Sequence, residues 1–246
     1  MKKLLLYSLP FVIVSGLSAQ PGVSHKSYDE LLRKYVDENG MVNYKDLRTE
    51  RSKLKSYLEV LEANPPQASW TNNQKLAFWI NAYNAFTLEL ILTHYPVKSI
   101  KDIGSVIKIP FVSTAWDIRF INVGGKEYNL NDIEHGIIRK VFDEPRIHFA
   151  LVCAAVSCPK LQNSAFTSEN LESLLSKAAT EFLADVEKND FKNTKKAELS
   201  KIFNWYGEDF NNDGTLIEYL NQYAPLRLEK DAKIAWKDYD WTLNEQ

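Results

Sequence analysis

The feature that most constrains this chain of 246 residues is a run of 17 mostly apolar residues at 76–92, reading L-A-F-W-I-N-A-Y-N-A-F-T-L-E-L-I-L. The run is far longer than an ordinary strand, so a helix over about 73–94 is predicted. Four polar residues interrupt it, which makes it too short and too polar for a membrane span. We therefore expect a core helix that is buried on most sides.

Two asparagines in this run, Asn81 and Asn84, lie three positions apart and hence on one face of the helix. A buried asparagine amide is unfavourable unless it is hydrogen-bonded. Two interpretations are open at this point. Either these amides tie down a loop, or one of them orients a catalytic side chain or binds an oxyanion.

Composition and the N-terminus narrow the class of protein. The chain has 30 Lys and Arg residues against 32 Asp and Glu, so no basic surplus is available to bind nucleic acid. Residues 1–19 have two lysines, an apolar segment and a small residue at their end, which is typical of a signal peptide. Residues 20–246 are predicted to form one globular domain, exported to the periplasm or outside the cell, with no further membrane segment.

Other segments have helical or hairpin patterns. Helices are predicted over 28–36 and 45–62, and a hairpin is predicted at 117–130, where two adjacent glycines separate strand-like runs. A helix should then begin at Asn131, with Glu134 completing a capping box. His135 lies beside the apolar stripe of that helix and is expected to flank a groove.

The segment 146–161 contains both cysteines of the chain and one of its four histidines. Residues 147–153 are apolar on both alternating faces, which is typical of a central strand covered on both sides. His148 would lie in this strand, and Cys158 in the loop that leaves it. The predicted fold is α+β: a helix-rich domain around a small, mostly antiparallel sheet, with a papain-like or transglutaminase-like core as the closest analogy.

Metal and nucleotide motifs are missing from the sequence. The two cysteines are five positions apart with no second pair, and no glycine-rich phosphate loop or serine elbow occurs. Residues 209–214 match the start of a calcium loop, but the twelfth position is Leu220 instead of glutamate, so a polar turn is predicted. We expect no metal ion and no other cofactor.

With those motifs absent, the polar residues of the chain are compatible with thiol chemistry. A cysteine nucleophile needs a base and a group that orients the base. The candidates are Cys158 as nucleophile, His148 or His135 as base, and Glu134 or Asn81 as the orienting group. The alternatives for Cys153 and Cys158 are a disulfide, an inert buried pair or transient redox use.

Several strings stand out along the chain. They are W-I-N-A-Y-N-A at 79–85, L-N-D-I-E-H at 130–135, Arg139, H-F-A-L-V-C at 148–153, S-C-P at 157–159, I-F-x-W-Y-x-x-D-F at 202–210 and Y-x-W-x-L-N at 239–244. Taken together they resemble the family called domain of unknown function 547, over about 65–246. The resemblance brings no established reaction. It implies that six residues belong to one constellation: Asn81, Asn84, Glu134, His135, His148 and Cys158. Asn84 and Arg139 are the predicted binding residues.

Two functions are compatible with these residues. The first is a cysteine-dependent hydrolase or acyl transferase that acts on a small peptide or amide outside the cytoplasm. The second is a non-catalytic exported binding or scaffold domain, with a buried polar network and a disulfide between Cys153 and Cys158.

Overall fold

The structure is a computed structural model and describes residues 22–104 and 114–246. The predicted signal peptide at 1–19 lies outside the described residues. Helices dominate and two small sheets accompany them, so the fold is α+β, as predicted. In the described part of the chain, no helix is long and apolar enough to cross a membrane.

The N-terminal part consists of three helices. They are α1 (Lys26–Tyr35), α2 (Tyr44–Leu47) and α3 (Arg51–Ala63). The first confirms the helix predicted over 28–36. The continuous helix predicted over 45–62 is wrong in its middle, where a 3-10 turn at Arg48–Glu50 separates α2 from α3. The Thr49 hydroxyl donates to the Asp46 carbonyl at 2.7 Å there, a local bond that competes with the helical ladder.

Helix α4 (Asn72–His94) is the predicted core helix. Its start is fixed by a capping box in which the Thr71 hydroxyl accepts from the Gln74 amide, and the Gln74 side chain accepts from the Thr71 amide. Every residue at 76–92 is buried except Glu89, whose carboxylate binds Arg51 of α3 at 2.6 Å. The helix is thus enclosed on all sides, as its sequence predicts.

The predicted hairpin is present with shorter strands, β1 (Ile121–Val123) and β2 (Lys126–Tyr128), joined by Gly124 and Gly125. Both glycines have positive φ, 62° and 77°, which a two-residue hairpin turn requires.

A π-helical segment, Asp132–Ile138, follows the hairpin and leads into α5 (Arg139–Val141). The capping box predicted for Asn131 and Glu134 is wrong. Asn129 and Asp132 form it two residues earlier: the Asn129 side chain accepts from the Asp132 amide at 2.7 Å, and the Asp132 carboxylate accepts from the Asn129 amide at 3.2 Å. Glu134 is therefore not needed as a cap, and it is buried.

The central strand predicted at 147–153 is wrong. Pro145 begins a 3-10 helix, Pro145–Phe149, and irregular backbone follows it. Residues 147–152 are buried as predicted and Cys153 is half-buried, but a side chain replaces the neighbouring strand. The Asn84 amide donates to the Ala150 carbonyl at 2.8 Å and its oxygen accepts from the Val152 amide at 2.9 Å. The segment can remain buried without a sheet because its polar backbone groups are paired in this way.

The larger sheet lies in the last third of the chain. It contains β3, β4 and β5, with the first pair antiparallel and the second parallel. The remaining elements are α6 (Leu171–Ala184), β3 (Asp190–Asn193), β4 (Lys196–Leu199), α7 (Ile202–Trp205), α8 (Gly207–Phe210), α9 (Leu216–Leu220) and β5 (Lys233–Trp236). Two of the three strand pairs of the described residues are antiparallel, which fits the predicted pairing, but none of the strands is the one predicted at 147–153.

The apolar core consists of two adjoining clusters. The larger surrounds α4, the smaller lies between α6 and the last third of the chain, and Tyr239 packs against both. The candidate site lies beside this junction. One domain and a papain-like core stay predictions.

Candidate active site

A cavity of about 180 Å³ brings together four of the seven predicted site residues. Glu134, His135, His148 and Cys158 all line it, and so does Cys153. Because these groups come from the π-helical segment, the 3-10 helix and the loop after it, no single sequence motif could have shown that they meet.

The two thiols of this cavity are in contact and are not bridged. The Sγ atoms of Cys153 and Cys158 are 2.8 Å apart, and both residues are free cysteines. The backbone N–H of Cys153 donates to Cys158 Sγ at 2.9 Å, and the Tyr239 hydroxyl lies 3.2 Å from Cys153 Sγ. Cys158 Sγ thus accepts hydrogen bonds from both the amide and the thiol of Cys153.

These contacts shift the pKa values of the two thiols in opposite directions. Burial alone would raise the pKa of Cys158, but hydrogen bonds from the Cys153 thiol, the Cys153 amide and Tyr239 outweigh it and lower that pKa. The contact with Cys158 and burial raise the pKa of Cys153 well above its ordinary value. When one proton leaves the pair, the charge therefore resides on Cys158.

His148 is buried and is held by Asp209. Its Nε2 lies 2.6 Å from Asp209 Oδ2, and its ring stacks on Tyr206 with centroids 3.9 Å apart. Burial lowers the pKa of His148 below its ordinary value, so the ring is neutral at neutral pH. Since the carboxylate can only accept, Nε2 carries the proton and Nδ1 is the basic nitrogen.

Asp209 is in turn fixed by Arg139, which binds it through two parallel bonds of 2.6 and 2.7 Å. Burial alone would raise the pKa of Asp209, but the bonds from His148 and Arg139 outweigh it and hold that pKa well below its usual range. Arg139 was predicted as a binding residue. In the structure it orients the carboxylate that orients the histidine.

His135 and Glu134 occupy the π-helical wall. Arg139 donates to His135 Nδ1 at 3.0 Å, which leaves the other ring nitrogen of His135 as the N–H donor. Burial and the Glu134 carboxylate raise the pKa of Tyr206 above its ordinary value, so the phenol stays protonated and donates to Glu134. Single π-turns of this kind are frequent at functional sites.

Asn81 and Asn84 have structural partners. The Asn81 amide donates to the Phe166 carbonyl at 2.7 Å, and its oxygen accepts from the Phe166 amide at 3.0 Å. Asn84 does the same for Ala150 and Val152. Both amides thus tie down loops, which is the first of the two interpretations offered above.

No hydrogen bond joins a histidine to a cysteine among residues 22–104 and 114–246. The thiols and His148 line the same cavity without a direct bond between them. A cysteine–histidine pair in contact is therefore not preassembled, and a molecule in the cavity would have to lie between the two groups.

Residues 67–183 match a family model described as protein of unknown function, DUF547. This part of the chain belongs to the DUF547 family. The matched part contains the thiols, both cavity histidines, Glu134 and Arg139. No curated protein and no solved structure matches the chain.

Three residues that complete the site lie beyond the part matched by the DUF547 model, and none was predicted as a site residue. They are Tyr206, Asp209 and Tyr239. Asp209 was assigned only to a polar turn, although it lies in the I-F-x-W-Y-x-x-D-F string at 202–210. That string and Y-x-W-x-L-N at 239–244 were the signals that could have identified all three.

The rim of the cavity is aromatic. Trp205 is 45% exposed, and its ring is 4.8 Å from Tyr239 and 5.9 Å from Trp241. Trp116 packs edge-on against Trp241 at 5.9 Å. This rim suits an apolar or flat group. In the described residues, no group of three or more His, Cys, Asp or Glu side chains is placed to hold a metal ion.

Proposed function

We propose that the cavity is the active site of a cysteine-dependent hydrolase or acyl transferase that acts on a small peptide or amide outside the cytoplasm. The observation that carries the proposal is a single cavity with two features. One is Cys158, whose thiol accepts the Cys153 N–H at 2.9 Å; the other is His148, which is held 2.6 Å from Asp209.

Cys158 is the proposed nucleophile. The thiolate is the reactive form of cysteine, and the donors around Cys158 favour it. Its sulfur would attack the carbonyl carbon of the substrate and form a thioester as the carbon–nitrogen bond breaks.

His148 is the proposed base and acid. Nε2–H of His148 donates to Asp209, which leaves Nδ1 free to accept a proton. Nδ1 can take the thiol proton through the substrate or a water molecule that lies between the two groups. It can then pass this proton to the departing amine. The same nitrogen would then activate water, or an acceptor amine, to cleave the thioester. Asp209 and Arg139 keep the ring in the required tautomer.

A test uses p-nitrophenyl acetate as the acyl donor. We expect a burst of p-nitrophenol and an acetyl group on the peptide that contains Cys158. In Cys158→Ser the burst should be absent while the circular dichroism spectrum is unchanged. His148→Gln should slow both the burst and the later turnover, the turnover by roughly 10²-fold.

The proposal is contradicted if acetylation occurs only at Cys153, or if His148→Gln turns over as fast as the wild type. A binding or scaffold domain is the second candidate. It is supported by the lack of a direct histidine–cysteine bond in the described residues and by the structural use of Asn81 and Asn84. A folded wild-type protein that forms no acyl-enzyme would favour it.

A further inference from the structure

The proposed acyl transfer uses one thiol, whereas the cavity holds two in contact. Cys153 is half-buried and its S–H points to Cys158 Sγ at 2.8 Å. Cys158 is only 3% exposed, yet it lines the cavity. An ordinary nucleophilic cysteine needs no second thiol at this distance, so the second thiol calls for its own explanation.

The backbone between the two cysteines holds them in this contact. Ala154 has φ of 57°, in the left-handed region that a residue with a Cβ rarely adopts. The Cys158 amide then donates back to the Ala155 carbonyl at 3.0 Å, which closes the loop. Such strain persists only where the surroundings impose it, and it is frequent at functional sites.

The C-terminal segment supplies those surroundings. Ala155 pairs with Leu243 in an isolated bridge, the Val156 amide donates to the Thr242 carbonyl at 2.8 Å, and the Asn244 amide donates to the Ala154 carbonyl at 3.1 Å. The backbone of the loop is therefore fixed along its length, which keeps the two cysteine residues close together.

We propose that Cys153 and Cys158 form a redox-active dithiol that exchanges with small disulfides entering the cavity and becomes an intramolecular disulfide. This activity does not depend on the proposed acyl transfer. It uses the same Cys158 sulfur, so the two reactions exclude each other on one molecule.

The reaction has two steps. Cys158 thiolate attacks one sulfur of a disulfide R–S–S–R, and R–S⁻ leaves and takes a proton from water. The Cys153 thiol then gives its proton to solvent and attacks Cys158 Sγ, which expels the second R–S⁻; this thiolate also takes up a proton from solvent. Two protein thiols are thus oxidised to one disulfide, and the external disulfide is reduced to two thiols.

The asymmetry between the two thiols supports this order. The donors around Cys158 favour its thiolate, so it is the better first attacker. The Cys153 thiol keeps its proton until Cys158 has formed the mixed disulfide. It then lies in contact with Cys158 Sγ, the sulfur that it must attack. The second step should therefore be fast compared with the first.

The test uses fully reduced protein, 2-hydroxyethyl disulfide and alkylation of remaining thiols with N-ethylmaleimide, followed by intact-mass measurement. We expect the wild type to show two species only: the dithiol with two labels and the internal disulfide with none. Cys153→Ser, which keeps a hydroxyl donor beside Cys158, should instead accumulate a stable mixed disulfide on Cys158. Cys158→Ser should react at Cys153 at least about tenfold more slowly.

Three results would overturn the proposal. They are stable mixed disulfides in the wild type without an internal disulfide, no loss of thiols under excess disulfide, or equal rates for the two serine variants. If a variant does not fold, the wild-type result alone decides the test. Because the measurement uses no acyl donor, its failure would leave the acyl-enzyme test intact, and failure of that test would leave the thiol exchange intact.

Discussion

Helix α4 and the cavity both place polar side chains among apolar residues, but they use them differently. On α4, Asn81 and Asn84 each give both sides of their amide to loop backbone. In the cavity, His148 and Cys158 are polarised by neighbours, and they are the proposed reactive groups. Complete pairing with backbone therefore marks a polar residue as structural, whereas pairing that leaves a basic nitrogen or a thiolate marks a candidate catalytic group.

Asn84→Ala should have the largest effect on stability. It leaves the Ala150 carbonyl and the Val152 amide unpaired in the core, so the free energy of unfolding should fall by about 4 kcal/mol. Urea denaturation measures the loss, and Asn73→Ala in the exposed first turn of the same helix is the matched control. A loss similar to that of the control would mean that Asn84 is not a structural residue.

Acid should weaken the fold through the structural histidine His25. Burial lowers the pKa of His25 from 6.5 to about 4, and the ring bonds to the Tyr57 hydroxyl at 2.7 Å. The unfolded chain binds the proton first, so stability is complete above pH 6.5 and falls as the pH drops toward 4, by up to about 3 kcal/mol. In His25→Gln this part of the pH dependence should disappear; an unchanged slope would assign it to other groups.

Asp209→Asn should affect activity and stability together, because it removes the negative charge and one of the two carboxylate oxygens that bind His148 and Arg139. We expect turnover of p-nitrophenyl acetate to fall by roughly 10²-fold and the free energy of unfolding by about 2 kcal/mol. The exposed Asp213→Asn on the following loop is the control. A variant with wild-type turnover would place Asp209 with the structural residues.

Tyr239→Phe should have the smallest effect. It removes one hydroxyl donor from the thiol pair, so the pKa of Cys158 should rise, with little change in stability. The pH dependence of alkylation by iodoacetamide reports this shift, with Tyr223→Phe, outside the cavity, as control. An unchanged profile would show that Tyr239 only packs at the site.

The sequence predicted the elements whose signal is local. The long run at 76–92 predicted α4, and the adjacent glycines predicted the hairpin, because each signal depends on neighbouring residues. The strand at 147–153 failed because an apolar run does not reveal which group will pair with its backbone. Here the partner is Asn84, 68 positions from Val152.

The candidate site was predicted only in part, because local sequence context identifies some of its residues and not others. Cys158, His148, His135 and Glu134 are unusual enough in their local context to be noticed, and all four line the cavity. Asp209 lies 61 positions after its partner His148. Tyr239 lies 86 positions after its partner Cys153. Contacts at such separations depend on how the last third of the chain packs. The strings at 202–210 and 239–244 mark these residues, but they do not show which partners the residues meet.

The most direct measurement is the rate at which iodoacetamide alkylates each cysteine of the reduced, folded protein at neutral pH, resolved by peptide mass. If the cavity activates Cys158 for catalysis, we expect Cys158 to react before Cys153 and faster than N-acetylcysteine under the same conditions. Slower reaction of Cys158 than of N-acetylcysteine, or first reaction at Cys153, would contradict it.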